Sequence, residues 1–460
     1  MERIESYLRQ NHDRFVSELC DYLRFPSVSA QPQHRGDLEA CAKWLVSHCQ
    51  QIGLEARLAP TDGNPVVIAR TPRKGNGQRP HYLVYGHYDV QPPEPFELWK
   101  SPPFEPRTEG SSLFARGASD NKGQHIAHLN AVEAYLQTGD PLPCDLTFLI
   151  EGEEEVGSKH LADFLCQNKT ELRCDGVVIS DTGLVSPKHP TLTYSLRGIA
   201  AVEVKVYGPA RDLHSGLFGG SIDNPAMVLC QLLAQLRDKN GKITVPGFYQ
   251  DVEPLSAFER KQLNRQPFNE RTYRRFLGVP ELFGERRFTA IEQRSARPTL
   301  EINGLTSGYQ GQGSKTIVPS VASAKITIRL VPNHTPEKVT RLLIQHLRKI
   351  CPPTVRLEVE PGHGGEPYFV SPKGPQVQAG LRALRRAFGH EPILVREGGS
   401  IPILIDFKRT LHAEALLLGL SLPDDNPHSP NEKFDLNVFA SGMRMGAYLW
   451  QELGIMAKEG

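Results

Sequence analysis

The sequence predicts an α/β protein of two domains, one of them interrupted by the other. Three observations carry this expectation. The length of 460 residues leaves room for two or three domains of about 100–200 residues each. Helix-like and strand-like segments alternate up to about residue 183 and again from about 375, the mark of helices layered on a mixed, largely parallel sheet. Between these stretches the texture changes to period-two strands and amphipathic helices, an inserted α+β sandwich. The boundaries follow as residues 1–196 and 369–460 for the split domain and 197–368 for the insert.

In order along the chain, residues 2–24 and 38–53 carry apolar positions at helical spacing, and PVVIAR and HYLVYGH are apolar runs of strand length. Residues 121–138 read as a helix, DLTFLI as a strand, 158–168 as a helix and GVVIS as a strand. After TYSLRG, AVEVKVYG alternates with period two, NPAMVLCQLLAQLRD is a capped helix, AKITIRLVP a strand, TPEKVTRLLIQHLRKI a helix and TVRLEVEP a strand. Residues 240–298 are rich in Arg, Phe and Glu without clear periodicity and read as an insertion. The first texture returns with QVQAGLRALRRAF as a helix, EPILVR as a strand and FDLNVFASGMRMGAYLWQEL as a last helix.

Composition narrows the function classes. Lys plus Arg number 53 and Asp plus Glu 52, a formal net charge of +1, which speaks against a nucleic-acid or anionic-membrane partner. The 40 Gly and 37 Pro are spread out rather than repeated, which excludes collagen-like chains. The N-terminus alternates charged and apolar residues and lacks a signal-peptide apolar core. No apolar run approaches the ~18–20 residues of a membrane span, the best being Ala415 to Leu420. Eight scattered cysteines without a C-x-x-C pair suit reduced thiols, and a cytoplasmic location is expected.

The chemistry concentrates where strands end. GHYDVQP puts His87 at a strand end with Asp89 two residues on, so both share a face and one can bind a metal while the other orients its ring. ARGASDNKGQ sets Asp120 between Gly117 and Gly123 before a helix, where it is either an N-cap or a carboxylate spanning two cations. EGEEEVGS offers Glu151, Glu153, Glu154 and Glu155 after an apolar strand, VVISDTG repeats that placement with Asp181, and DDNPHSPNEKF puts His428 in a polar loop. Each alone has an ordinary reading as a turn or solvated loop. As a set they are the N/O donors suited to two divalent cations.

GHYDVQP, RGASDNKG, EGEEEVGS, SDTG and PHSPNEK together resemble the M20 family of co-catalytic metallopeptidases. With LRGI, DLHSGLFGG, KTIVP, IRLVPN and REGGSIP the chain is most similar to the cytosolic dipeptidase and carnosinase branch. The resemblance implies that His87 and Asp181 hold one cation and Glu155 and His428 the other, Zn²⁺ or Mn²⁺ both being compatible, with Asp120 bridging and Glu154 as general base. It also implies a metal-binding domain interrupted by a lid through which the chain forms a homodimer. His214 of DLHSG is then the oxyanion donor, reaching a neighbouring site from the lid. Arg329 would read the substrate carboxylate, since a guanidinium matches it bidentately, with Gly399 and Ser400 offering backbone N–H groups. Thr316 joins them by resemblance only.

The expected function is two-metal hydrolysis of dipeptides or short peptides with a free C-terminal carboxylate. An N-acyl amino-acid amidohydrolase or carboxypeptidase on the same scaffold is the alternative. A non-catalytic relative is disfavoured because Glu154 and all five ligand positions are filled. A metal-free acid and base pair of Glu153 and Glu154 is disfavoured because neighbours in one short loop do not flank a bond from both sides.

Overall fold

The computed structural model describes residues 1–72, 79–399, 401 and 403–459. It divides into two compact units: Met1–Tyr194, Val370–Val395 and Ile403–Gly460 form the first, and Ser195–Phe369 with Arg396–Pro402 the second.

In the first unit a mixed sheet runs in the order Glu55–Ala59, Val66–Arg70, Asp145–Glu151, His81–His87, Gly176–Ile179, Ala415–Leu417, Thr191–Leu196. Parallel pairing joins its middle strands, where His81–His87 lies between Asp145–Glu151 and Gly176–Ile179, and Ala415–Leu417 follows. The flanking pairs are antiparallel. The central strands are buried on both faces, as their unbroken apolar runs require. Because these strands are parallel, His87, Glu151 and the residues after Ile179 emerge at one edge. That edge is where an open α/β sheet leaves a crevice.

Helices Arg35–Gln51, Gly123–Thr138, Pro375–Phe388 and Leu436–Glu459 belong to this unit. The span expected as one helix over 2–24 is two, Glu2–Gln10 and His12–Leu23. Asn11 leaves helical geometry at φ −100°, ψ 8°, and its Nδ2 donates to the Tyr7 carbonyl at 2.9 Å, a local bond competing with the helix ladder.

The second unit is built on an antiparallel sheet ordered Thr299–Ser307, Val321–Leu330, Gly198–Tyr207, Arg356–Gly365. Alternate residues Ala200, Val202, Val204 and Val206 of one strand and Ala322, Ala324, Ile326 and Ile328 of the next are buried in one core. Helices Pro225–Ala234 and Pro336–Ile350 contribute Leu229, Leu232, Val339, Leu343 and Leu347 to it. The opposite face carries Glu203, Lys205, Lys325 and Arg329. The stretch 240–298 holds three short helices, Ala257–Leu263, Glu270–Leu277 and Ala290–Ala296. Reciprocal capping boxes start the first and third, Ser256 with Glu259 and Thr289 with Glu292.

Candidate metal centre

His87 ends its strand fully buried. Its Nδ1 donates to the main-chain carbonyl of Asp89 at 3.0 Å, so the lone pair sits on Nε2. The carboxylate of Asp89 lies 3.5 Å from that ring, and it accepts the backbone N–H groups of Glu154 at 3.2 Å and Glu155 at 3.1 Å. Asp89 thus orients the ring through its carbonyl and ties the glutamate loop to the strand through its side chain.

Asp120 sits in an irregular turn ahead of Gly123–Thr138. Gly117 opens the turn at φ +82°, a left-handed conformation that a side chain would resist. Gly123 has ordinary helical angles, but a Cβ there would meet the Ala118 carbonyl at 2.3 Å and Phe434 at 2.5 Å, so close packing fixes it as glycine. Buried Glu432 anchors the turn. Its Oε2 accepts from Arg116 Nη1 and Gly117 N, both at 2.9 Å, and its Oε1 from Ser119 N at 3.0 Å and Asp120 N at 3.1 Å. The next residue, Asn121, donates from Nδ2 to Asp181 Oδ1 at 2.9 Å and to the Ser180 carbonyl at 2.5 Å.

The four glutamates separate by environment. Glu151 accepts from Tyr85 Oη at 2.6 Å and Ser158 Oγ at 2.8 Å, and burial pushes its carboxyl up to about 7. Glu153 pairs with His160 at 2.7 Å and accepts the Asn64 N–H at 3.2 Å. Glu155 accepts from Gln91 Nε2 at 2.8 Å with Oε2, while its buried Oε1 has no hydrogen-bond partner. Among the described residues, the Glu154 carboxylate enters no hydrogen bond or ion pair. Burial first, then the negative charges of Asp181, Glu155 and Asp120, raise it well above the usual carboxylate range, against the pull of His87.

His428 stands in the loop before the last helix at φ +61°. Its Nε2 donates to Asp120 Oδ2 at 2.8 Å and lies 3.3 Å from Glu155 Oε2. On the other side, Asp120 Oδ1 is 3.2 Å from His87 Nε2, and Asp181 Oδ1 is 3.7 Å from that nitrogen. Donor atoms of His87, Asp120 and Asp181 all lie within 4.8 Å of one another, as do those of Asp120, Glu155 and His428.

These residues fit a pair of divalent cations. A buried imidazole lone pair faces two carboxylate oxygens and makes no hydrogen bond, an arrangement that a cation between them satisfies. The Oε1 of Glu155 is stranded in the same way. The three carboxylates of the donor groups, Asp120, Asp181 and Glu155, against two imidazoles leave an excess of negative charge that cations neutralise.

In the second unit, exposed His214 caps the short helix Ser215–Phe218, its Nδ1 accepting the Gly216 N–H at 3.0 Å. That acceptance puts the ring proton on Nε2. The carbonyl of Thr316 accepts Ser215 N at 3.0 Å, so His214 and Thr316 are brought together. Arg329 lies on the sheet face away from the helices, and Gly399 is exposed with open space around its Cα. Ser400 falls outside the described residues. Sequence reasoning passed over Asn121, Gln91 and Glu432, although each stands inside a motif it singled out.

The chain is 32% identical to the Cys-Gly metallodipeptidase dug1 of Schizosaccharomyces pombe, over 97% of this chain and 96% of that protein. It is 31% identical to the human Beta-Ala-His dipeptidase, over 98% of this chain and 92% of that protein. Among solved structures, the M20 family metallo-carboxypeptidase Sso-CP2 of Sulfolobus solfataricus matches with a TM-score of 0.83 at 30% identity, covering 96% of this chain and 99% of that one. The pattern of the family described as peptidase family M20/M25/M40 matches residues 83–452, a span that contains every residue of both donor groups. On a family pattern matched over residues 83–452 and full-length likeness to relatives above 30% identity, the chain belongs to peptidase family M20/M25/M40.

Proposed function

We propose that the protein is a two-metal dipeptidase acting on dipeptides or short peptides with a free C-terminal carboxylate. The observation that carries this is the pair of donor groups sharing Asp120, with the unpaired Glu154 carboxylate beside them. His87, Asp181 and Asp120 would hold one cation, and Asp120, Glu155 and His428 the other. The N/O donors accept Zn²⁺ or Mn²⁺. Bound there, divalent cations polarise a scissile carbonyl and acidify a water.

The chain's own residues supply the rest. Glu154, free of other partners, takes the proton of the attacking water at its carboxylate and delivers it to the leaving amine. Asp89 positions this base by holding the Glu154 and Glu155 amides. His214 carries its ring proton on an exposed Nε2, the form an oxyanion donor needs. Arg329, with Gly399, Ser400 and Thr316, reads the substrate carboxylate.

The second unit acts as a lid and dimerisation domain in this reading. Among the described residues its edge strand Thr299–Ser307 pairs on one side only, and it exposes Ile302 and Leu305, a surface suited to a second copy of the chain. Leu305→Glu should then yield monomers in sedimentation. His214 would serve the partner's site across that dimer.

A substrate panel tests the reaction. Purified protein should hydrolyse dipeptides such as Cys-Gly and β-Ala-His, lose that activity to a chelator and regain it with Zn²⁺ or Mn²⁺. Hydrolysis of N-acetyl amino acids with no action on dipeptides would instead establish the amidohydrolase.

A further inference from the structure

The LRGI segment places Arg197 between two strands, and the function derived above makes no use of it. Two contacts tie Arg197 to the substrate-reading turn and a third ties it to the end of the helix Ala290–Ala296. Its backbone N–H donates to the Glu397 carbonyl at 3.2 Å and its Nε to the Gly398 carbonyl at 3.4 Å. Its Nη1 donates to the Arg297 carbonyl at 3.3 Å. The fit is tight, because a Cβ at Gly398 would come within 2.7 Å of Arg197 Nη2 and 2.8 Å of the Arg294 carbonyl. A planar guanidinium is the side chain that grips two carbonyls at once while keeping its charge.

Arg329 lies opposite Ile199 in the neighbouring strand, two residues beyond Arg197. Burial first, and then the charge of Arg329, lower the Arg197 guanidinium to about 10, with Glu301 pulling the other way. Two like charges held together by a fold are relieved by an anion between or beside them.

We propose that Arg197 is a positioning residue for recognition of the substrate carboxylate, gripping the Gly398 and Arg297 carbonyls to fix the Gly398–Gly399 turn and adding its charge to that of Arg329. This rests on the reading of Arg329 and Gly399 given above. Misplacing a reading group by about 1 Å costs up to about 100-fold, so the ratio of kcat/KM for a dipeptide acid to that for its amide is the sensitive readout.

The experiment measures that ratio in the metal-loaded wild type, Arg197→Met, Arg197→Lys and Gly398→Ala. The wild type should favour the acid strongly. In Arg197→Met the ratio should fall about 10- to 100-fold, chiefly through KM for the acid, and Arg197→Lys, which keeps the charge and one donor, should recover part of it. Should Arg197→Met fail to fold, Gly398→Ala displaces the guanidinium from the other side and should reduce the ratio likewise. A ratio in these variants within about twofold of the wild type would overturn the proposal. Failure of the Arg329 reading is distinct, because the wild type itself would then treat acid and amide alike.

Discussion

Asp120 and His428 are joined through Oδ2 at 2.8 Å, while the other oxygen of the same carboxylate lies 3.2 Å from His87. One side chain therefore serves both donor groups, and among the described residues no other belongs to both. Replacing Asp120 with Ala should lower occupancy of both metal positions, whereas His428→Ala should chiefly weaken one. Elemental analysis after dialysis against a weak chelator reads the difference. Two metals bound with unchanged affinity in Asp120→Ala protein would refute the shared role.

The position of Asp120 depends on Glu432. In Glu432→Gln, one of the two acceptor oxygens becomes a donor facing donors, and buried Arg116 loses its counter-charge. Breaking a buried pair from one side costs about 3–5 kcal/mol. Urea unfolding should show a loss of this order, together with reduced metal content as the Asp120 turn relaxes. Wild-type stability with full metal content would remove Glu432 from the account.

Acid sensitivity should have a component far from the centre. His48 is buried, stacked on Trp44 at 5.0 Å, and its Nε2 has no partner. Burial lowers it from 6.5 to about 4, with Glu133 and Arg14 acting in opposite senses. Between these values the unfolded chain binds a proton that the native state refuses. The stability contributed by neutral His48 is therefore complete above pH 6.5 and is lost as pH falls toward 4. At about 1.4 kcal/mol per pKa unit the loss is up to about 3 kcal/mol. His48→Phe should remove this part of the slope in urea unfolding measured from pH 7.5 to 4; parallel slopes in the two proteins would contradict it.

The sequence exposed the donor set because each member is a chemically distinctive residue in a short motif at the end of an apolar run. The residues that hold those donors were silent for a physical reason. Glu432 reads as part of a solvated loop, and the amide it anchors, that of Asp120, is 312 positions away. Gln91 meets Glu155 only once two strand ends are side by side.

Elements hid in the same way. The edge strand Thr299–Ser307 exposes Ile302 and Leu305 and shifts register between Ile302 and Gly304, so no clean alternation marks it. The helices at 257–263 and 290–296 are too short for periodicity to register, yet S-x-x-E and T-x-x-E announce both. Asn11 shows the opposite failure, where an unbroken helical pattern concealed a side chain that competes with the backbone.

The account's central claim is that Glu154 is the proton acceptor at a two-metal peptidase site, and Glu154→Gln tests it most directly. Gln keeps the size and loses the basicity, and Glu154 is no member of either donor group. The measurement is kcat on a good dipeptide with metal content determined on the same sample. Two metals retained with turnover reduced by ~10²–10⁴-fold is the predicted result, and near-normal turnover at full occupancy would contradict it.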